Sequence, residues 1–209
     1  EGRVTMEAFL AQLQDEDLAC IVRGEGMCSP KVTPGTAAAF GGISESLKGF
    51  GVPCGCCTDG PSGMRLDSGA RAFSLPNGTL LACTFNLELV EELFTFTGVE
   101  MVKNKIDALL GPGINIHRHP LNGRNFEYFS EDPYAAGICG TYVCKGATET
   151  TMATPCPKHF AVNEQETYRR GSERFRYDAV DSVLSERVAR ELYLKPFEMV
   201  IRNTPVSTV

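Results

Sequence analysis

Three candidate strands, each closed by a turn rich in Gly or Pro and separated by stretches of helical periodicity, limit the folds open to this chain more than any other feature. Val52 to Thr58 is short and apolar, the mark of a strand covered on both faces, and Asp59-Gly60-Pro61-Ser62-Gly63 ends it. Ile106 to Leu110 is the second, terminated by Gly111-Pro112-Gly113, and Thr151 to Phe160 is the third. Between the first two, Asn86 can cap a helix in which Leu87, Val90, Phe94 and Met101 recur at three- and four-residue steps. Asp132-Pro133, a cap followed by Pro at the first helical position, opens a second helix that runs to the region of Gly146. Ser185 caps a last one, with Val188, Leu192, Phe197, Val200 and Ile201 on its buried side and a kink at Pro196. No hairpin signal interrupts this alternation. It implies parallel βα units, in a barrel or a doubly wound sheet.

Two short helices lead in: Phe9, Leu10, Leu13, Leu18, Ile21 and Val22 have helical spacing across Thr5 to Arg23, and Asp15-Glu16-Asp17 suits a second helix start. Gly24 to Gly42 carries Gly, Pro, Ser and Thr without periodicity and reads as a long loop. The whole chain of 209 residues, long enough to bury a sizeable core, is read as one domain. Its net charge of −6, with 20 scattered Lys and Arg, argues against nucleic acid as a partner and suits a neutral small molecule. No apolar run reaches the roughly 18 residues of a membrane span, and no signal-peptide pattern opens the chain, so neither a membrane partner nor export is expected and a cytoplasmic location is. Both ends read as cuts, since there is no initiator Met and Val206-Ser207-Thr208-Val209 falls where a new strand is due. A half-open sheet of this kind is expected to fold poorly in isolation.

Nine cysteines, an odd number, point to reduced thiols that fill buried positions, although Cys54 and Cys57 form a C-x-x-C pair. No second pair with ligand spacing follows it, and no metal or cofactor is expected there.

In βα architectures the informative residues are polar ones just after strand ends. Four groups qualify: Asp59 with Arg65; Asn115-Ile116-His117-Arg118-His119; Gly123-Arg124-Asn125-Phe126-Glu127 with Ser130-Glu131-Asp132; and Lys158-His159 with Asn163-Glu164-Gln165-Glu166. Each has a plain structural alternative. Asp59-Gly60 can be an Asx turn, and Glu131 and Asp132 can serve a helix N-terminus. His117 and His119, two apart, have the H-x-H form of a metal-dependent hydrolase or are loop histidines that merely hydrogen-bond. Lys158 can be a Schiff-base lysine or half of an ion pair.

In combination and in order, Thr58-Asp59-Gly60-Pro61-Ser62-Gly63-Met64-Arg65, Gly111-Pro112-Gly113-Ile114-Asn115-Ile116, Gly123 to Pro133, Lys158-His159-Phe160 and Asn163-Glu164-Gln165-Glu166 resemble the signature of glycoside hydrolase family 3, in its β-glucosidase branch. The resemblance implies an α/β fold: an incomplete (β/α)8 TIM-type barrel, residues 1–209 being its first half with the helical and loop lead-in. It implies a β-glucoside or related oligosaccharide as ligand, the remaining domains of a parent chain as partners, and no cofactor. Asp59, Arg124, Lys158 and His159 match the family's contacts to sugar hydroxyls, with Arg65 beside Asp59. Carboxylate acceptors mixed with Arg, Lys and imidazole donors suit groups that both donate and accept. Glu127 would steer Arg124 or Lys158, with Asn163 and Glu166 behind. Retaining hydrolysis needs two carboxyls ~5 Å apart. The resemblance places the nucleophilic Asp beyond Val209, after a Ser-Tyr-Asn motif, and the acid/base in another domain, so no catalytic residue is assigned here. N-acetylglucosaminidases of the family continue Lys-His-Phe with Pro-Gly-His-Gly; Ala161-Val162-Asn163-Glu164 departs from that and favours β-glucosides or β-xylosides. Two other readings stay open: a non-catalytic glycan-binding module, and a metal-dependent hydrolase using His117 and His119.

Overall fold

The computed structural model describes residues 2–149 and 153–209. The lead-in forms α1 (Met6–Leu10), capped by the Thr5 hydroxyl, and α2 (Asp15–Arg23), which a reciprocal Gln14–Asp17 capping box opens. Asp17 does a second job. Its buried carboxylate accepts from the Ser44 and Ser46 hydroxyls, both at 2.9 Å, and so ties the lead-in to the start of α3 (Glu45–Gly49).

Four strands make one sheet in the order β1-β2-β3-β4: β1 (Ala38–Gly41), β2 (Cys54–Asp59), β3 (Ala108–Leu110) and β4 (Thr154–Pro155). β2, β3 and β4 run parallel, as the alternation predicts. β1 does not. It pairs antiparallel with β2 from Ala38↔Cys57 to Gly41↔Cys54, so the sheet is mixed, and the final residues of the expected Gly24–Gly42 loop are an edge strand. Ala-Ala-Phe-Gly has no period-two pattern to announce it, because an edge strand is fixed by its one neighbour rather than by its own side chains. The third expected strand is paired over Thr154–Pro155, and residues 150–152 lie outside the described ones. Beyond the paired strands the two chains stay side by side: Ile114 N–H donates to the Lys158 carbonyl and Lys158 N–H to that of Pro112, both at 2.9 Å.

The helices follow their caps. Asn77 caps α4 (Gly78–Cys83), which periodicity alone did not reveal, and Asn86 caps α5 (Leu87–Lys103) as expected. Asp132 Oδ1 accepts from the backbone of Tyr134 and Ala135 at the start of α6 (Pro133–Glu149). The last helix is divided into α7 (Glu186–Val188), a π turn (Ala189–Tyr193) and α8 (Lys195–Asn203), with Pro196 in the first turn of α8. Proline cannot donate to a preceding carbonyl, so the break precedes it.

Leu109 of β3 sits in a core with Val90, Phe94 and Met101 of α5, Val143, Cys144 and Ala147 of α6, and Phe197 and Val200 of α8. α5 and α6 cross on glycines: a Cβ on Gly98 would lie 2.5 Å from the Ala147 carbonyl oxygen, and one on Gly146 would run into that of Glu91. Cys56, Cys57, Cys139 and Cys144 fill buried positions as expected of small apolar side chains, whereas Cys28 and Cys83 are exposed. Among the described residues, no helix is long and apolar enough to cross a membrane.

Candidate functional site

The ends of β2 and β4 bring Asp59 and Lys158 together across 99 positions of sequence, Lys158 Nζ donating to Asp59 Oδ1 at 2.7 Å. Asp59 also makes the Asx turn that its plain structural reading expects, its Oδ1 accepting the Gly60 N–H at 3.0 Å. Gly60, at φ 136°, leaves no room for a side chain. Lys158 Nζ reaches on to Glu127 Oε2 at 3.8 Å, and Glu127 Oε1 accepts from Arg124 Nε at 2.5 Å. The next link is Arg124 Nη2 to His159 Nε2 at 2.6 Å, and Arg124 Nη1 lies 3.8 Å from Glu166 Oε1. Arg169 closes the series, donating to Glu166 Oε1 at 2.8 Å and to Asn163 Oδ1 at 3.0 Å.

Acid and base therefore alternate along the site. Asp59, Glu127 and Glu166 balance Lys158, Arg124 and Arg169, which leaves a strongly polar surface with no net charge to select an ionic ligand. Side chains of Glu127 (6% exposed) and Lys158 (15%) are largely withdrawn from water, while that of Asp59 (36%) is open to solvent. Burial works to raise the Asp59 carboxyl, but the hydrogen bond and charge of Lys158 outweigh it and hold it below its ordinary range. For Arg124, burial likewise opposes the charge and Glu127 more than restores it.

His159 corrects one expectation. Arg124 can only donate, so Nε2 must offer its lone pair, and the imidazole faces Arg124 as an acceptor rather than a donor. Burial, with Arg124 and Lys158 adjacent, pushes its pKa down to about 3. Behind the ring, Asn115 Oδ1 lies 3.1 Å from Nδ1 and accepts the His159 backbone N–H at 2.7 Å, and the Tyr128 hydroxyl lies 3.3 Å from Nδ1. Tyr128 is itself fully buried, and burial raises its phenol so that it stays protonated.

Of the residues singled out by sequence, Asp59, Arg124, Glu127, Lys158, His159 and Glu166 thus meet directly, and Asn163 joins through Arg169. Arg65 stands at the rim. Its Nη1 is 4.0 Å from Asp59 Oδ2 while Nη2 donates to Asp67 at 3.1 Å, and the side chain is 53% exposed. His117 Nε2 donates to the Asn125 carbonyl at 2.8 Å and His119 Nδ1 accepts the Leu121 N–H at 3.1 Å, the behaviour of loop histidines. Among the described residues, no three His, Cys, Asp or Glu side chains converge in a way that could hold a metal. Sequence reasoning assigned no role to Asn115, Tyr128, Glu164 or Arg169. Asn115 and Glu164 stood inside recognised runs, but their importance rests on burial, which the letters do not report.

A polar, charge-balanced cluster beyond the carboxyl ends of parallel strands has the placement of ligand sites in α/β proteins. Residues 7–209 match the "Glycosyl hydrolase family 3 N terminal domain". The chain is 58% identical over 208 residues to a β-glucosidase of Ruminococcus albus, covering 100% of this chain and 21% of that protein. Its structure superposes on a β-glucosidase from Paenibacillus barengoltzii with a TM-score of 0.86 at 53% identity, over 99% of this chain and 21% of the other. With β-glucosidase 3B from Thermotoga neapolitana, solved in complex with glucose, the TM-score is 0.80 at 33% identity, over 95% and 28%. The chain belongs to glycosyl hydrolase family 3. It spans about a fifth of the length of the Ruminococcus and Paenibacillus relatives.

Proposed function

We propose that this chain supplies the sugar-binding part of a β-glucosidase that removes terminal, non-reducing β-linked glucose with retention of configuration, and that its sheet is the first half of a (β/α) barrel completed elsewhere in the parent protein. The observation that carries the reading is the convergence of Asp59, Lys158, Glu127, Arg124 and His159 at the strand ends. The glucose complex of the Thermotoga relative supports the choice of sugar. Asp59 accepts from one sugar hydroxyl and Lys158 and Arg124 donate to others. A hydroxyl inserted between Arg124 and His159 accepts from the first and donates to Nε2, so its geometry is read in both senses. Glu127 keeps both cations ionised and aimed.

Glu127 is assigned a steering role rather than that of nucleophile: Arg124 bonds its Oε1, and Lys158 lies 3.8 Å from its Oε2. The nucleophilic carboxylate and the acid/base are to be sought in the parent protein outside residues 1–209. Arg65, at the rim, is assigned to the mouth of the pocket rather than its floor.

The test is hydrolysis of a panel of 4-nitrophenyl β-glycosides by the natural full-length protein, with the anomer of the first product read by NMR. The glucoside is expected to be cleaved fastest, with release of the β-anomer. Asp59→Ala is expected to lower kcat/KM at least about 100-fold, since it removes a ligand acceptor and strands Lys158. Failure to cleave the β-glucoside, or an Asp59→Ala enzyme of undiminished activity, would overturn the reading.

A further inference from the structure

Glu164 is 3% exposed and reaches none of the groups that face the ligand, yet it ends a chain of hydrogen bonds that begins at them. Its Oε1 accepts from Asn115 Nδ2 at 3.1 Å and from the Ile116 N–H at 3.0 Å. The same Asn115 amide turns its oxygen to His159, accepting the backbone N–H at 2.7 Å and facing Nδ1 at 3.1 Å, while its nitrogen also donates to the His159 carbonyl at 3.2 Å. Every one of these contacts except that at Nδ1 has a fixed sense. A carboxylate oxygen accepts, a backbone N–H donates, and a guanidinium donates. If the Asn115 amide turned over, its NH2 would face the His159 N–H, and its oxygen would face both the Glu164 carboxylate and the His159 carbonyl. Only one orientation satisfies the set, and it requires the imidazole proton on Nδ1.

We propose that Glu164 is a positioning residue for the sugar site: by holding the Asn115 amide in one orientation it joins Arg124 in fixing His159 in the Nδ1–H tautomer, with Nε2 kept as an acceptor aimed at Arg124 and the bound sugar. The consequence for binding rests on the sugar-binding reading above; the consequence for the tautomer does not. The second Glu164 oxygen, Oε2, is buried without a hydrogen-bond partner, so the carboxylate is held through Oε1 alone. A glutamine can reproduce that acceptor, whereas a leucine of similar bulk cannot. Asn115 itself is almost wholly buried, and with Glu164 gone its amide nitrogen keeps only the longer contact to the His159 carbonyl.

The experiment uses the full-length protein labelled with 15N-histidine, the His159 signals being assigned by their loss in His159→Gln. Ring-nitrogen shifts are recorded without sugar, and glucose affinity is measured by calorimetry, for the wild type, Glu164→Leu, Glu164→Asp and Glu164→Gln. The wild type is expected to show a protonated Nδ1 and a bare Nε2. Glu164→Leu is expected to lose the single tautomer and to bind glucose about tenfold more weakly, as for a buried donor left unpaired. Glu164→Gln should restore most of both. Glu164→Asp, which draws the acceptor back by one methylene but keeps the charge, should fall between them and serves where the leucine variant does not fold. A proton on Nε2 in the wild type overturns the proposal, as does a Leu or Asp variant that keeps the wild-type tautomer and affinity. A wild type that has the stated tautomer yet binds no glucose upholds the lock and sinks the sugar-binding reading instead.

Discussion

Because Arg124 can only donate, His159 presents a lone pair to the site, and burial beside two cations keeps it neutral with a pKa of about 3 in place of 6.5. Between those values the unfolded chain binds more protons than the folded one, so stability rises with pH through the window. This contribution is complete above the unfolded value and is lost as pH falls toward the folded one. Thermal midpoints taken from pH 7 down to pH 4 are expected to fall more steeply for the wild-type full-length protein than for His159→Gln, which has no proton to take up. Parallel curves would mean that His159 titrates normally. A companion prediction concerns the ion pair behind it: Glu127→Gln should weaken glucose binding by about tenfold or more, because Arg124 and Lys158 then share a buried site with one carboxylate fewer. Asp59, Lys158 and Arg124 were legible in the sequence because each follows a strand and stands in an ordered motif. Glu164 was not, since a buried acceptor and an exposed surface acid are the same letter until packing separates them, and Arg169 stood outside the ordered motifs.

The crossing of α5 and α6 is set by backbone touching backbone at Gly98 and Gly146, where even a methyl group would displace a helix. Gly146→Ala is therefore expected to destabilise by about 1–3 kcal/mol, the usual cost of overpacking, read as a lower denaturation midpoint. Gly49 is the contrast. It ends α3, and a methyl group there would meet nothing within 4 Å, so Gly49→Ala should be neutral or should stabilise by about 0.5 kcal/mol through the unfolded state. Helices with a polar cap and a long apolar stripe were readable in advance, as Asn86 and Asp132 show. The six residues of α4 were too few to display a period, and β1 depends on a partner strand that lies elsewhere in the sequence. The π turn at Ala189–Tyr193 had no signal beyond Pro196, which marked the neighbourhood of the break but not its form.

On the scale of the whole molecule, the order of strands and the helices over them followed from the alternation of patterns, while the reversed edge strand did not. Large apolar side chains stand in the open at Phe73, Phe85, Phe96, Leu121 and Phe160. Residues 1–209 expressed alone are accordingly expected to self-associate and to bind a hydrophobic dye more strongly than the full-length protein, to be checked by light scattering and dye fluorescence. A monomeric, dye-silent preparation would show that these side chains need no cover. The Asp59–Lys158 contact has a wider meaning in this setting. It joins segments 99 positions apart, so the site proposed to bind sugar exists only once distant stretches of chain have found each other. On the proposed function, sugar would act as a referee of assembly: it would reward completed molecules alone, and at a hundredfold excess over its dissociation constant it should deepen the native well by about 2.7 kcal/mol. A cell rich in the reaction's product would, on this account, hold a sturdier enzyme than one depleted of it.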